Sequence, residues 1–425
     1  MFSLLTHIAS FLFIPVLLRS KKTPGNISAW LLFIFLIPCL AIPFYFLFGN
    51  RKFKRNISTI KEDANCPISL NRRVDLLSTG ELAFTALLAL VDSAKEEIHL
   101  STFIYCADSV GLKLLEILTL KAQSGVKVRL LIDSMGSFLG KRPDFRKYLL
   151  AGGSLAYSMP ILRPVSFWRS NLRSHRKMLI VDTSRAMIGG MNISESYFSS
   201  LYSNHCWLDL ALYLDGPAVN DLQNLFVRDW VLATNEKIGT GSRAPIPGSN
   251  QVQIISSGPM NIEDQIYDFL LSKIYAAKKL LWIATPYFIP DDCLAKALIF
   301  AAKRGVDVKI LLPRKSNHSL ADLARAGYLR ELAGHGCHIY FFPTMLHAKA
   351  FLVDDETALI GSANFDMRSL LYNFEVGACL LSKEGIDATR NWFLSNFTHC
   401  STNFPASGFC QELLEGFGRV LGPLI

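Results

Sequence analysis

The sequence predicts an α/β protein made of two similar halves packed together behind an apolar N-terminal helical hairpin. Three observations carry that prediction. Two uncharged apolar runs open the chain, strands alternate with amphipathic helices from about residue 70, and this alternation recurs later in the chain. The 425 residues, half of them hydrophobic, exceed one ordinary domain and suit two. That composition, with scattered Gly and Pro, excludes a disordered or collagen-like chain.

Residues 1–18 are apolar apart from Ser3, Thr6, His7 and Ser10, and a basic Arg-Ser-Lys-Lys stretch follows at once. Residues 27–48 form a second run without charge, closed by basic residues ending at Arg55. As helices the runs would extend roughly 27 and 33 Å, close to the hydrocarbon thickness of a bilayer. Residues 1–55 are therefore read as a membrane anchor of two transmembrane helices, 1–18 and 27–48. Pro38 and Pro43 are tolerated inside a membrane bundle, and Trp30 and Tyr45 lie near the ends of the second run, where aromatic rings favour the interface. The first run has no basic leader and no small-residue cleavage site, which argues against a signal peptide. Three basic residues on one side of the hairpin and four on the other tilt the body toward the cytoplasm.

The formal charge of +9 comes almost wholly from this segment: residues 1–55 hold seven basic residues and no acid, against 37 bases and 35 acids in the rest. A duplex-binding protein more often spreads its positive charge over a folded surface, so no nucleic-acid partner is expected. The nine cysteines are scattered and form no CxxC pair, which indicates neither a zinc site nor a disulfide framework. Free thiols suit a reducing compartment.

In the body, SAKEEIHLSTFIY (93–105) and GVKVRLLID (125–133) read as two strands separated by a helix. YAAKKLLWIATPYF (275–288) and GVDVKILLP (305–313) repeat the arrangement. The Gly-, Ser- and Pro-rich stretch 236–250 reads as the connector, giving halves over 56–238 and 251–425.

Each half contains His-x-Lys-x4-Asp: His175, Lys177 and Asp182, then His347, Lys349 and Asp354. Gly189 and Gly361 each follow their His by 14 residues, and Asn192 and Asn364 by 17. An acid in strand-like surroundings comes next in each half, Asp209 and Glu375. Residues two apart on a strand share a face, so each His and Lys would project together, with an Asn returned beside them by the glycine turn. A His nucleophile or acid, a Lys cation and an Asn amide around one point make a phosphate site. Asp209 or Glu375 would accept the second ring N–H and set the imidazole tautomer. Asp182 and Asp354 complete the candidate catalytic set, although as strand-end acids that could cap turns or pair with a base they suit a structural role better than a chemical one.

Around this core, Arg163, Trp168, Arg169, Arg173 and Arg176 flank the first His and read as a solvated basic loop rather than a phosphate clamp. His335 and His338 lack a second ligand pair and are expected to bind no metal. Thr285–Asp291 reads as a strand end and loop shaping the pocket, with Tyr287 and Phe288 in the core.

With the duplicated motif in view, the chain resembles the phospholipase D superfamily and, within it, the bacterial cardiolipin synthases. The resemblance runs nearly end to end: the apolar AWLL segment, NLRSHRK, GGMN, DGPAV, TPYFIPDD, LHAK, GSANFDMRS, NFE and the closing RVLGPLI. Two departures stand out, Ser174 where the family usually shows Asn and Leu208 in place of Arg. The resemblance implies two phospholipase D-like α/β/α halves with pseudo-twofold symmetry, and a multi-pass protein of the bacterial inner membrane. It also implies metal-free and cofactor-free transfer of a phosphatidyl group from one phosphatidylglycerol to another through a phosphohistidine. In that scheme His175 is the nucleophile and His347 the acid and base. The rival readings are a membrane-tethered phospholipase D delivering the same group to water, a nuclease of the superfamily, and a non-enzymatic scaffold.

Overall fold

A computed structural model describes residues 11, 13–20, 24–49, 52, 67–139, 141–160, 171–198, 206–239, 246–261, 263–402, 404 and 408–422. After β1 (Ser69–Asn71), the first half lays down β2 (Arg73–Leu77), β3 (Glu97–Thr102), β4 (Lys127–Asp133), β5 (Ser154–Ser158), β6 (Met178–Val181), β7 (Arg185–Gly189) and β8 (Ala211–Asp215). These seven form one sheet in the order β2-β8-β7-β6-β3-β4-β5. β3, β4 and β5 run parallel, whereas β6, β7, β8 and β2 pair antiparallel beside them. The crossover from β3 to β4 is the helix Ser109–Gln123, started by Asp108, whose carboxylate accepts the Gly111 N–H, an N-cap that supplies one of the orphan donors of the first turn.

The second half repeats the plan with β9 (Asn250–Ser257), β10 (Leu280–Ala284), β11 (Phe288–Ile289), β12 (Asp307–Pro313), β13 (His338–Phe342), β14 (Ala350–Val353), β15 (Thr357–Gly361), β16 (Phe365–Asp366) and β17 (Glu375–Leu380). Its sheet is β1-β9-β17-β15-β14-β10-β12-β13, and β11 with β16 makes a separate small ribbon. β10, β12 and β13 are parallel, as β3, β4 and β5 are. β1, which precedes the first sheet in the chain, pairs instead with β9 of the second. The halves thus share a strand as well as a face.

Every residue of β6 and of β14 is buried, the pattern of strands covered on both sides. On one side the two sheets share a single core: Met178, Ile180, Ile188 and Leu212 of the first with Val252, Leu352, Ile360 and Val376 of the second. The helices Ala218–Thr234 and Lys383–Phe397 contribute Phe226, Trp230, Trp392 and Phe393 to it. On the outer side, the helices Gly80–Asp92 and Ser109–Gln123 cover the first sheet. The helices Gln265–Ala276, Asp292–Lys303 and Ser319–Gly334 cover the second.

The N-terminus departs from the sequence reading. Residues 27–48 do not form one spanning helix. The run is divided at Ile37, which leaves the helical region (φ −140°, ψ 67°), into the helices Pro24–Leu36 and Pro38–Phe48. A residue before proline is pushed toward extended backbone, and Pro38 is well placed to restart a helix. The two pieces fold back on each other. The rings of Trp30 and Tyr45 are 5.0 Å apart, and those of Phe33 and Phe44 6.2 Å apart. Phe13 and Leu17 pack into the same cluster, while residues 1–10 of the first run lie outside the described residues. Among the described residues no helix is long and apolar enough to cross a membrane. Leu32, Phe35, Leu36, Leu40 and Phe44 face outward. The eight described cysteines are free thiols.

Candidate active site

His175 and Lys177 lie in extended chain just before β6, and His347 and Lys349 just before β14. Each Lys curls back on its His: Lys177 Nζ donates to the His175 carbonyl at 2.6 Å, and Lys349 Nζ reaches the His347 carbonyl. The shared face expected from the two-residue spacing is present in both halves.

The backbone around each His is tied to the opposite half. Ser174 bridges to Phe374, and the His175 N–H donates to the Phe374 carbonyl at 2.9 Å. Symmetrically, Leu208 bridges to Leu346, and the His347 N–H donates to the Leu208 carbonyl at 2.7 Å. Phe374 and Leu208 each precede an acid, so these bridges deliver the acids across the interface. His175 Nδ1 meets Glu375 Oε1 at 2.9 Å, and His347 Nδ1 meets Asp209 Oδ2 at 2.7 Å. Each half supplies the carboxylate for the other half's imidazole. With each Nδ1 on a carboxylate, Nε2 is the ring nitrogen turned away from the acids; on His347 it has Lys349 Nζ 3.2 Å away.

The two acids are housed differently. Ser362 donates its hydroxyl to Glu375 Oε2 and receives the Val376 N–H at 3.0 Å. Gly190, its counterpart, has no room for a side chain: a Cβ there would sit 2.4 Å from Asp209 Oδ1. The shorter Asp is packed against bare backbone, the longer Glu against a hydroxyl.

Asn192 and Asn364 are both buried beside the pairs. Asn192 Oδ1 accepts the Ile104 N–H at 3.2 Å, and its amide donates to the Tyr197 hydroxyl at 2.9 Å. That hydroxyl is 3.5 Å from His347 Nε2, so Asn192 acts on His347 through Tyr197. Asn364 Oδ1 is buried without a hydrogen-bond partner.

Asp182 and Asp354 are not at this centre. They occupy the far ends of β6 and β14, in turns where Asp182, Thr183, Asp354 and Asp355 all have positive φ. Two consecutive left-handed residues make a tight hairpin, and Asp is among the few residues that tolerate the conformation. The Asp182 carboxylate accepts the N–H groups of Lys95, Glu96 and Glu97. Asp354 accepts those of Lys278, Lys279 and Leu280. Their place in the candidate catalytic set is corrected accordingly: they pin the hairpin to the start of β3 or β10.

The basic loop is also corrected where it is described. Arg176 is fully buried, paired with Asp229 at 2.6 Å and donating to the carbonyls of Ser257 and Glu375. Arg173 is buried against Asp133, while Arg163, Trp168 and Arg169 lie outside the described residues. Asp133 was not singled out in the sequence. It sits at the carboxyl end of β4, where ligand sites of parallel sheets gather, and receives the Ser174 N–H at 2.9 Å, fixing the residue before His175. Phe103 packs edge-on against His175, and Tyr197 and Trp207 against His347. No spacing rule marks these three aromatics. Phe288 is buried and stacks on Phe365, while Tyr287 is only part-buried and donates to Asn317 Oδ1.

The electrostatics follow from burial of six ionisable groups together. Burial pushes His175 down to about 4, against the pull of Glu375 and with the push of Lys177 and Lys349. Burial, then the two lysines and His175, hold His347 well below the usual imidazole range. Burial raises the Asp209 carboxyl to about 7 and lowers Lys349 to about 8. Burial also holds the Lys177 ammonium well below the usual lysine range, against the pull of Glu375.

A histidine pair presented by two copies of one α/β unit, each ring gripped by the other copy's acid, defines a phospholipase D-type fold. The same fold is seen in the crystal structure of phosphatidylserine synthase from Haemophilus influenzae Rd KW20, at a TM-score of 0.65 and 16% identity over 85% of this chain and 96% of that one. The family model for the cardiolipin synthase, phospholipase D-like domain matches residues 87–230 and 270–396. The chain is 31% identical to the cardiolipin synthase of Geobacillus thermodenitrificans (strain NG80-2), over 100% of this chain and 94% of that protein. It is 35% identical to that of Listeria monocytogenes serotype 4a (strain HCC23), over 84% of this chain and 76% of that protein. The chain belongs to the cardiolipin synthase family.

Proposed function

We propose that the protein makes cardiolipin by moving a phosphatidyl group from one phosphatidylglycerol to the glycerol hydroxyl of another, releasing free glycerol. One observation carries the reading: each Nδ1 is held by a carboxylate of the opposite half, an arrangement that suits both Nε2 atoms to work on one phosphorus. A bound phosphodiester brings a negative charge beside two imidazoles whose protonated forms burial disfavours, and so favours one neutral and one protonated imidazole, the pairing that an acid and a nucleophile need.

His175 Nε2 attacks phosphorus as the bond to the departing glycerol oxygen breaks, and His347 gives that oxygen its proton. The neutral His347 then takes the proton of the incoming hydroxyl. That oxygen attacks phosphorus, the P–N bond breaks and His175 is restored. Lys177 and Lys349 stabilise charge on the non-bridging oxygens. Tyr197 and Asn192 steady His347, and Asn364 offers its amide to the phosphate.

The apolar helices before residue 49 attach the body to a bacterial inner membrane, with the basic residues around Lys52 against anionic headgroups and the body on the cytoplasmic face. Purified protein in phosphatidylglycerol vesicles is expected to yield diphosphatidylglycerol and glycerol in equal amounts. Phosphatidate as the sole product would reject the transferase in favour of a hydrolase. Acid quench is expected to trap phosphate on His175, and label on His347 alone would reverse the two roles.

A further inference from the structure

The helix Phe409–Leu421 is seated on the helix Ser319–Gly334 by one narrow face. Glu415 is buried in a two-point pair with Arg330 at 2.9 Å, Gly418 abuts Leu323, and Arg419 reaches Glu331 at 3.0 Å. The opposite face is apolar and uncovered: Phe409 is 75% exposed, Leu413 60% and Phe417 61%. These three are four residues apart, one above the other on a helix, with exposed Cys410 and Leu414 beside them. No charged residue falls within this stripe. A patch of this kind marks an interaction surface.

Its position identifies the partner. Just past the helix, Gly422 lies against Ile289, which pairs with Asp366, two residues beyond Asn364 of the site. At the same flank Lys52, at the base of the apolar N-terminal segment, is paired with Asp264 at 2.6 Å. Asp264 leads into the helix whose Tyr267 donates to Asp291 at 2.7 Å, and the neighbouring Asp292 faces Arg419 at 3.9 Å. The anchor, the pocket edge and the bare helix face are therefore joined through a short series of contacts.

We infer that the helix Phe409–Leu421 is an interfacial membrane helix, with Phe409, Leu413 and Phe417 inserted among lipid headgroups, holding the pocket edge against the bilayer from which a two-chain substrate enters. A helix with one apolar and one polar face lies in the plane of the interface and buries the apolar side at the acyl boundary. This inference rests on the membrane attachment proposed above but is separable from the reaction.

The test uses the full chain in vesicles of phosphatidylglycerol and phosphatidylcholine, at low protein density. An environment-sensitive fluorophore is attached to Cys410 in a Cys39→Ser, Cys66→Ser, Cys106→Ser, Cys293→Ser, Cys400→Ser background. A control carries Cys410→Ser and Glu356→Cys, which places the same label in the hairpin turn after β14, at the end of the sheet away from His347. Nitroxide lipids labelled near the headgroup are expected to quench the Cys410 label severalfold more than the control, with a blue-shifted emission that does not change with protein density. Equal quenching of the two labels overturns the inference. So does an emission that shifts with protein density without lipid quenching, which would place a second copy of the chain on this face. Lipid turnover by the same preparation keeps the outcomes apart: an active protein with an unquenched Cys410 label defeats the interfacial helix alone. In a separate check, Phe409→Ser/Leu413→Ser/Phe417→Ser is expected to raise KM for vesicular substrate severalfold and leave kcat unchanged. An unchanged KM would overturn the inference as well.

Discussion

Removing the carboxylate that one half lends to the other tests the crossed arrangement directly. In Asp209→Asn the buried contact of 2.7 Å to His347 Nδ1 is kept in shape but loses its charge. When His347 becomes an imidazolium in the transition state, the lost interaction is that of unit charges about 4 Å apart, worth about 4 kcal/mol at an effective dielectric near 20. This corresponds to about a thousandfold in kcat. Asn also turns its own N–H toward Nδ1, so the ring holds its proton at Nε2 and can no longer serve as a base. Conversion of radiolabelled phosphatidylglycerol in vesicles measures the loss, and a thermal melt checks that the fold survives. The partner variant Glu375→Gln acts on the other histidine and is expected to abolish trapped phosphohistidine, whereas Asp209→Asn accumulates it because the second step stalls. Activity of Asp209→Asn within about tenfold of the wild type, with the fold intact, would refute the reasoning, since a charge buried beside the reacting ring cannot be worth so little.

Lys349, held at about 8 in the free protein, is charged below that pH and neutral above it. kcat/KM, which reports groups of the free enzyme, should therefore fall as pH rises through about 8. In Lys349→Arg a pH–rate profile should show that limb gone from the alkaline range, at a lower plateau. Asp182→Ala leaves three backbone N–H groups at the start of β3 without their acceptor. It should cost about 2–4 kcal/mol of stability, read as a lower denaturant midpoint, with kcat of the folded fraction changed less than about threefold. Gly190→Ala pushes a methyl to within 2.4 Å of Asp209 and should reduce kcat severely at unchanged substrate affinity. Ser362→Ala, which removes only a hydroxyl beside Glu375, should be the milder of the two in the same assay.

How far the chain was readable depended on whether a property is local. The duplicated spacing placed each Lys on the face of its His because a two-residue period survives any tertiary context. The same holds for the α/β alternation and for the Gly turn that returns each Asn. The membrane reading of 27–48 rested on composition alone. Composition is blind to backbone direction, and the residue before Pro38 turned a single long run into two short helices. Asp182 and Asp354 look catalytic because they recur with the histidines, yet the recurrence reflects a turn that both copies of the fold need.

Sequence by itself determined the family, the mixed α/β fold and the duplicated His-x-Lys pairs that it presents, because side-chain chemistry and strand periodicity are written residue by residue. Only the tertiary structure decided which carboxylate serves which imidazole. Asp209 follows His175 by 34 residues in the chain and nevertheless binds His347, since the bridges Ser174–Phe374 and Leu208–Leu346 cross the interface between the sheets. The burial of Arg173 and Arg176 and the placing of Tyr197 on His347 were decided in the same way. Each depends on contacts between residues far apart in sequence, and no local pattern encodes which distant surface a side chain will meet.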